Sequence, residues 1–395
     1  MSASDLAKAL RHTDQVVPRE ELAAKLELNR PLRVKLGLDP TAPAVTLGWA
    51  VVLRKLRQFQ EMGHTAVLIV GDFTAQVGDP SDRDAQRRRL TTDEVNEYAE
   101  NILSQFERVL LSDNLEIRRN SEWLAGFDMY EMLELTSSAT VAQMLERSDF
   151  AKRFDTGVPI SVMEFLYPLL QGYDSVAVEA DIELGGSDQL WNLMMGRVVQ
   201  ERYGQEPQVA VTMPLLVGTD GTQKMSQSIG NYIGVEDEPS EMFGKTMSIP
   251  DEAMGEWFRL AADYDEDAAA KLEAGLESGE LHPNEAKRHL ARSVVTLYWG
   301  EEAASEAERA FDRVFKQGGT PDDLEKFRLP AGDAISLPGL IRDAFDVSGN
   351  EARRLISQGA VRVDDEVVSD QEFDRHNLAG KVLRVGKRRF VQLTD

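Results

Sequence analysis

The first half of the chain alternates between two hydrophobic patterns. Short apolar runs, typical of buried strands, alternate with longer runs whose apolar positions recur with the period of an α-helix. The predicted strands cover residues 32–38, 65–70, 176–182 and 208–216, and the predicted helices cover 47–62, 92–111 and 190–203. Strands that alternate with helices indicate a parallel sheet with helices on both faces. We therefore predict a doubly wound α/β domain over residues 1–232, with a mostly helical insertion at about 120–165.

The pattern changes twice beyond this domain. Residues 233–330 carry only helical periods, and a Gly-Gly-Thr-Pro stretch at 318–321 is typical of a linker. Residues 335–395 combine a helix that contains adjacent arginines with short strands rich in valine. We predict a helical domain at 233–330 and a small α+β domain at 335–395.

Composition excludes several classes of protein. No stretch of about 18 apolar residues occurs, so we predict no membrane span. The first residues lack the charged-then-apolar order of a signal peptide. The chain has no cysteine and only five scattered histidines, so we expect neither disulfides nor a zinc site. Together these features predict a cytoplasmic protein.

The net charge of −24 is unevenly distributed. Residues 335–395 carry ten basic and ten acidic side chains, whereas the preceding residues carry 34 basic and 58 acidic ones. Binding of polyanions depends on Lys and Arg, so the acidic body disfavours non-specific binding of nucleic acid. A local basic footprint in the neutral tail remains compatible with RNA binding.

Residues 36–49 have the order expected of a phosphate site. The apolar strand runs into an Asp39-Pro40-Thr41 turn, and Leu47-Gly48 then opens an amphipathic helix. A strand, tight loop and helix N-terminus present backbone N–H groups and the positive end of the helix dipole to an anion. The stretch therefore predicts a nucleotide-binding loop.

Two later motifs complete a family resemblance. Gly-Gly-Ser-Asp-Gln at 185–189 follows a predicted strand, and Lys-Met-Ser-Gln-Ser at 224–228 follows the last one, about 175 residues after the first motif. The three motifs, in this order, resemble those of class I aminoacyl-tRNA synthetases and most closely those of bacterial tyrosyl-tRNA synthetases. The resemblance covers nearly the whole chain. It implies a Rossmann-like core that activates tyrosine with ATP and transfers it to tRNA(Tyr).

The resemblance also implies the nucleotide site. Mg²⁺ is expected to accompany ATP without a cage of protein ligands. Thr41, Thr46 and Lys224 are the expected catalytic residues. The expected ATP-binding residues are Asp39, Gly48, Trp49, Gly186, Asp188, Lys224, Met225 and Ser226.

The expected tyrosine pocket is centred on one helix face. Tyr167, Gln171 and Asp174 are spaced i, i+4 and i+7, so their side chains share a face. Asp174 is expected to accept the phenol proton of tyrosine, while Tyr167 and Gln171, with Asp79, would hold its ammonium group. Gln189 completes the pocket. Each residue alone also fits a buried polar cluster with a structural role.

The sequence departs from the family at three places. Thr46 and Trp49 stand where the family has the histidines of His-x-Gly-His, and Gln227 replaces the second lysine of the 224–228 motif. The loss of cationic groups predicts slow adenylate formation. One alternative is therefore a catalytically impaired paralogue that binds tyrosine or RNA in a regulatory role. Another is an enzyme that uses a different amino acid or acceptor.

The tail resembles the S-four-type RNA-binding module. Its expected phosphate-binding residues are Arg353, Arg354, Arg362, Lys387, Arg388 and Arg389. The resemblance further implies a homodimer, and the apolar helical segment at 123–166 is the expected interface. A solvated hairpin with ordinary surface charges is the alternative for the tail.

Overall fold

The computed structural model describes residues 3–28, 30–78, 90–315, 324, 326–332, 334–364, 366–386 and 389–394. The chain forms two compact units, Met1–Gly300 and Glu301–Asp395. The boundary lies within the helical segment Pro283–Phe315, where Gly300 leaves the helical conformation with φ 87° and ψ 168°. The three-domain division expected from the sequence stays a prediction.

A six-stranded sheet forms the centre of the first unit. Its strands are β1 (Gln15–Val17), β2 (Arg33–Leu38), β3 (Thr65–Val70), β4 (Leu115–Arg119), β5 (Ile182–Gly186) and β6 (Val209–Met213). Their order in the sheet is β1-β6-β5-β2-β3-β4, and all neighbours are parallel except β1 and β6. The chain leaves β2 toward β3 but returns to place β5 on the other side. Such a reversal opens a crevice at the carboxyl ends of the two central strands.

Helices cover the sheet and fill the rest of the first unit, and the last of them continues past Gly300 into the second unit. They are α1 (Ala3–Leu10), α2 (Arg19–Leu26), α3 (Leu47–Glu61), α4 (Thr92–Phe106), α5 (Ser121–Leu124), α6 (Met129–Thr136), α7 (Val141–Met144), α8 (Ser148–Asp155), α9 (Val162–Ala177), α10 (Leu190–Arg202), α11 (Pro239–Met247), α12 (Met254–Leu260), α13 (Glu266–Ser278) and α14 (Pro283–Phe315). Short 3₁₀ turns lie at Thr74–Gln76, Ser187–Gln189 and Asp251–Ala253. The predicted α/β order is confirmed, and helices follow residue 233, but the wholly helical pattern expected up to residue 330 is wrong at Lys326–Arg328, which form a strand that pairs with the last strand of the tail.

Local sequence explains where the key helix α9 begins and how closely it packs. Ser161 caps its N-terminus and forms a capping box with Glu164, which satisfies free backbone N–H groups. Gly172 faces α10, and a Cβ at this position would lie 2.8 Å from Cγ2 of Val199. Only glycine permits this approach, which fixes α9 and its polar face against the neighbouring helix.

In the six-stranded sheet, one predicted strand is wrong and two strands were missed. Residues 176–182 do not form a strand, because α9 continues to Ala177 and the strand begins at Ile182. Val178 and Ala180 instead pack against β3, which accounts for the apolar run. The missed strands, β1 and β4, are the two edges of the sheet.

The second unit combines two small sheets with two further helices. A five-stranded sheet has the order β10-β9-β12-β13-β7, and β8 pairs with β11. Its elements are β7 (Lys326–Arg328), β8 (Ala334–Ser336), α15 (Leu337–Phe345), α16 (Gly349–Ser357), β9 (Val361–Val363), β10 (Glu366–Val367), β11 (Glu372–Asp374), a 3₁₀ turn (Arg375–Asn377), β12 (Val382–Val385) and β13 (Arg389–Thr394). Apolar side chains from both helices and the strands form one core. The predicted helix and hairpin are confirmed.

Candidate active site

A cavity of about 1120 Å³ opens where the carboxyl ends of β2 and β5 separate. The predicted residues that line it come from four parts of the first unit: the loop before α3, helix α9, the turn after β5, and the 224–228 segment. They are Asp39, Thr41, Thr46, Gly48, Trp49, Tyr167, Gln171, Asp174, Gly186, Asp188, Gln189, Lys224, Met225 and Ser226. The predicted residue Asp79 lies outside the described residues.

Thr46 organises the entrance of α3. The Thr46 side chain accepts a hydrogen bond from the Trp49 backbone N–H at 3.3 Å and is 3% exposed. It therefore caps the helix. The Gly48 N–H donates to Met225 Sδ at 3.3 Å, which brings the 224–228 segment against the helix N-terminus.

Asp39 lines the crevice and is held by two hydroxyl groups. Its Oδ1 accepts from the Thr74 hydroxyl at 2.7 Å and its Oδ2 from the Tyr167 hydroxyl at 2.9 Å. Gly71 makes this possible, since a Cβ there would lie 2.0 Å from Asp39 Oδ1. These bonds fix the orientation of the Asp39 carboxylate between the two expected substrate regions.

Asp174 lies on the floor of the cavity and is 4% exposed. Its Oδ1 accepts from Trp123 Nε1 at 2.8 Å and its Oδ2 from Asn120 Nδ2 at 3.2 Å. Burial raises the pKa of Asp174 to about 6, and the nearby Lys35 opposes this shift. Each carboxylate oxygen has two lone pairs, so Asp174 can accept a further hydrogen bond from a ligand hydroxyl.

A buried ion pair lies behind this face of α9. Lys35 Nζ is 2.8 Å from Glu183 Oε1, and both side chains are at most 1% exposed. Lys35 also donates to the Gln171 backbone oxygen at 2.9 Å, and Gln171 Nε2 donates to Glu183 at 3.2 Å. The pair thus anchors both the backbone and the amide of Gln171. Sequence reasoning missed it, although Lys35 within an apolar strand was a possible signal.

The segment that carries Lys224 is tied to the helix entrance. Gln227 Oε1 accepts from the Ala44 N–H at 3.2 Å, and Gln227 Nε2 donates to the Ala44 carbonyl at 2.6 Å. Lys224 Nζ lies 3.0 Å from Asp188 Oδ2. The lysine is thereby held beside the turn that follows β5.

Gln189 is linked by hydrogen bonds to the buried side chains of Asn192 and Arg147. It accepts from Asn192 Nδ2 at 2.9 Å, and Asn192 Oδ1 accepts from Arg147 at 3.1 Å. Arg147 in turn pairs with Asp149 at 2.7 Å. The chain of contacts connects the pocket to the helical insertion.

In the second unit, four of the predicted phosphate-binding arginines are exposed. Arg353, Arg354, Arg362 and Arg389 are all exposed. Arg362 lies opposite Arg384 in the antiparallel β9–β12 pair. Like charges directly opposite each other repel. The predicted residues Lys387 and Arg388 lie outside the described residues.

Within the described residues, the structure has neither a cluster of metal ligands nor a helix that could span a membrane. Within them, no group of three or more His, Cys, Asp or Glu side chains could hold a metal ion. Across the same ranges, no helix has the length and apolar character needed to cross a membrane.

Comparison with known proteins defines the class of protein. Residues 27–316 match the family described as tRNA synthetases class I (W and Y), and residues 345–374 match the S4 domain. The fold is also that of solved synthetases: the tyrosyl-tRNA synthetase of Archaeoglobus fulgidus complexed with L-tyrosine superposes with a TM-score of 0.63. It has 24% sequence identity and covers 77% of this chain and 98% of that one. The chain thus has the class I synthetase architecture.

Full-length relatives narrow this class. The tyrosine–tRNA ligase of Moorella thermoacetica is 50% identical over 388 residues, covering 97% of this chain and 94% of that protein. The tyrosine–tRNA ligase of Thermotoga maritima is 45% identical over 395 residues, covering 100% and 98%. The chain belongs to the tyrosyl-tRNA synthetase family, as the sequence motifs predicted.

Proposed function

We propose that the chain is a tyrosine–tRNA ligase. The tyrosine carboxylate attacks the α-phosphorus of ATP, the bond to pyrophosphate breaks, and a ribose hydroxyl of tRNA(Tyr) then displaces AMP from the adenylate. The observation that carries the proposal is a single cavity lined by both Asp174 and Lys224. It provides a recognition group for the amino acid beside a cation for the nucleotide.

The tyrosine side is built to accept a hydroxyl proton. Trp123 and Asn120 donate to Asp174, so both preserve its character as an acceptor. Phenylalanine would leave the carboxylate without its ligand partner, and an unmet buried polar group costs about 1–3 kcal/mol. Tyr167 and Gln171 are proposed to hold the ammonium group, and Gln189 to complete the pocket. The role expected of Asp79 stays a prediction from the sequence.

The nucleotide side relies on backbone groups and one lysine. We assign the phosphates to the N-terminus of α3, Thr41 and Lys224, and the ribose of the adenylate to Gly186 and Asp188. Lys224 must then exchange its bond to Asp188 for a phosphate oxygen. Mg²⁺ would arrive on the ATP phosphates, where oxygen and water ligands suit it and where it neutralises charge. The nearby carboxylate of Asp188 already pairs with Lys224, which fits an ion that is held by the ATP phosphates and not by a cage of protein ligands.

The second candidate is an impaired paralogue with a regulatory role. The neutral residues Thr46, Trp49 and Gln227 favour it, because they reduce the positive charge available to the leaving pyrophosphate. Lys224 and the helix N-terminus remain, so we expect weak activity rather than none.

Tyrosine-dependent exchange of pyrophosphate into ATP separates the two candidates. The ligase is supported if the unaltered chain catalyses this exchange and the Lys224→Met variant does not. Tyrosine binding by calorimetry without any exchange supports the paralogue. Exchange near a typical enzyme rate of roughly 10 per second would show that Thr46 and Trp49 are working substitutes.

We also propose a homodimer formed through the helical insertion. Met129, Tyr130, Leu133, Val141 and Val162 are between 60% and 83% exposed. Exposed apolar side chains concentrated in one segment mark an interaction surface. In sedimentation experiments Tyr130→Glu with Leu133→Glu should shift a dimer toward monomer, while Lys271→Glu on α13 should not. A monomeric unaltered chain would contradict this proposal.

The second unit is proposed to bind the tRNA. Its S4 match and its exposed arginines support this assignment. A cytoplasmic location also remains a prediction from the sequence.

A further inference from the structure

We propose that Gln227 is a positioning residue: its amide latches the loop that carries Lys224 to the backbone of Ala44. The inference rests on the proposed function, in which Lys224 binds the phosphates of ATP. It assigns a structural task to the residue that replaces the second lysine of the family motif.

The latch is a two-point contact that lysine cannot reproduce. The Gln227 amide accepts from the Ala44 N–H at 3.2 Å and donates to the Ala44 carbonyl at 2.6 Å. A side-chain amide offers a donor and an acceptor, whereas a lysine ammonium group only donates. Gln227→Lys could therefore reach the carbonyl but would leave the Ala44 N–H without this acceptor.

The partner of the latch is already held in place by the fold. Gln105 on α4 accepts from the Val45 N–H at 2.7 Å and donates to the Pro43 carbonyl at 2.9 Å. Gln105 is buried. The turn before α3 thus keeps its shape through Gln105, so the bonds from Gln227 act on the position of the Lys224 loop.

The loop itself is organised from within. Asp220 accepts from the backbone N–H groups of Thr222 and Gln223 at 2.8 and 2.9 Å. Asn231 donates to Asp220 at 2.7 Å and accepts from the Ser226 N–H at 2.8 Å. The loop is therefore expected to move as a unit when it separates from the turn.

The end of the loop, at residues 233–235, is attached to residues 45–47 at the start of α3 by separate backbone hydrogen bonds. The Leu47 N–H donates to the Ile233 carbonyl, and the Val235 N–H donates to the Val45 carbonyl, each at 2.8 Å. Met225, which accepts from the Gly48 N–H, and Gln227 provide further attachment points nearer to Lys224 along the chain. Losing the Gln227 bonds should loosen the part that carries Lys224 while residues 233–235 stay attached.

Hydrogen exchange at the Ala44 amide tests the latch directly. Gln227→Met keeps the side-chain length but removes both bonds. The loss of two hydrogen bonds predicts exchange about 5-fold to 150-fold faster at Ala44. Gln223→Met is the matched control, because Gln223 lies in the same loop with an exposed side chain. Unchanged protection of Ala44 in Gln227→Met would overturn the proposal.

Kinetics test whether the latch serves Lys224. In Gln227→Met the KM for ATP should rise by a similar factor, while the dissociation constant for tyrosine stays unchanged. Gln227→Lys should release the Ala44 amide as Gln227→Met does. Release of Ala44 with an unchanged KM for ATP would overturn the positioning role. If the unaltered chain shows no pyrophosphate exchange, the proposed function fails, but the Ala44 measurement still decides whether the latch exists.

Discussion

Replacing Asp174 with asparagine should weaken tyrosine binding and, at the same time, change how stability depends on pH. The carboxylate is 4% exposed, and burial raises its pKa from 3.8 to about 6. The folded chain therefore holds this proton more tightly than the unfolded chain does. Its contribution to stability is present below pH 4 and is lost as pH rises through about 6.

The size of the effect follows from the pKa difference. At low pH Asp174 is protonated in both the folded and the unfolded chain. Relative to that condition, the difference between its two pKa values lowers the free energy of unfolding by about 3 kcal/mol at pH 8 and by roughly 1.6 kcal/mol at pH 5. The effect is smaller at pH 5 because the folded group is still mostly protonated. Asparagine does not ionise, so it avoids this cost at both pH values. The stability of Asp174→Asn relative to the unaltered chain should therefore rise by about 1.4 kcal/mol between pH 5 and pH 8.

A second effect of the substitution is independent of pH. The new amide must direct its NH₂ group toward Trp123 or Asn120, both of which donate to the carboxylate. One donor then loses its acceptor, which costs about 1–3 kcal/mol. The informative quantity for Asp174→Asn is therefore how its difference in stability from the unaltered chain changes with pH. The difference at a single pH does not test the reasoning.

Urea unfolding at pH 5 and pH 8 measures this slope. All five tryptophans precede residue 300, so their fluorescence follows the first unit. Asp113→Asn, in an exposed turn, is the control and should show no comparable slope. In calorimetry, Asp174→Asn should weaken tyrosine far more than phenylalanine. A stability difference equal at both pH values, or unchanged tyrosine affinity, would refute the reasoning.

Three further predictions test other parts of the protein. Deleting residues 335–395 should leave tyrosine binding unchanged but weaken tRNA binding and flatten its salt dependence, measured at two salt concentrations. Lys35→Met should lower the free energy of unfolding by about 3–5 kcal/mol, because it leaves Glu183 buried without its partner; adding Glu183→Gln should recover part of this loss. Restoring the family residues together should raise the rate of pyrophosphate exchange at saturating ATP by at least about 10²-fold, since donors to developing charge have effects of that size. That variant combines Thr46→His, Trp49→His and Gln227→Lys.

The sequence was sufficient to predict how the cavity is assembled. Alternating patterns indicate a parallel sheet, and parallel strands bring the motifs that follow them to one edge. This is why residues as distant as Thr41, Asp188 and Lys224 line a single cavity. Helical spacing likewise placed Tyr167 and Asp174 together on α9.

Features that depend on register or on sheet edges could not be predicted. β1 has only three residues, and β4 mixes apolar and charged residues at a partly exposed edge, so neither has a clear strand pattern. Lys35 and Glu183 are direct partners in the β2–β5 ladder. Each looks like an isolated charge in an apolar strand until the alignment of the two strands is known. The Trp123 and Asn120 contacts to Asp174 require the packing of the insertion in the same way.

Of the three departures expected from the family resemblance, all reduce the available positive charge, and two preserve the position of the groups around them. Thr46 caps α3 and Gln227 holds Ala44, so two of the neutral replacements make bonds that order the entrance. Correct placement of reactants can supply about 7–11 kcal/mol of a barrier reduction. Each missing donor to a developing charge costs about 2.7–4 kcal/mol, and such losses are not additive when groups act on one transition state. Because the reacting groups are still placed correctly while the positive charge is reduced, we predict an enzyme that is slow but specific. Its deficit should lie in kcat rather than in the binding of tyrosine.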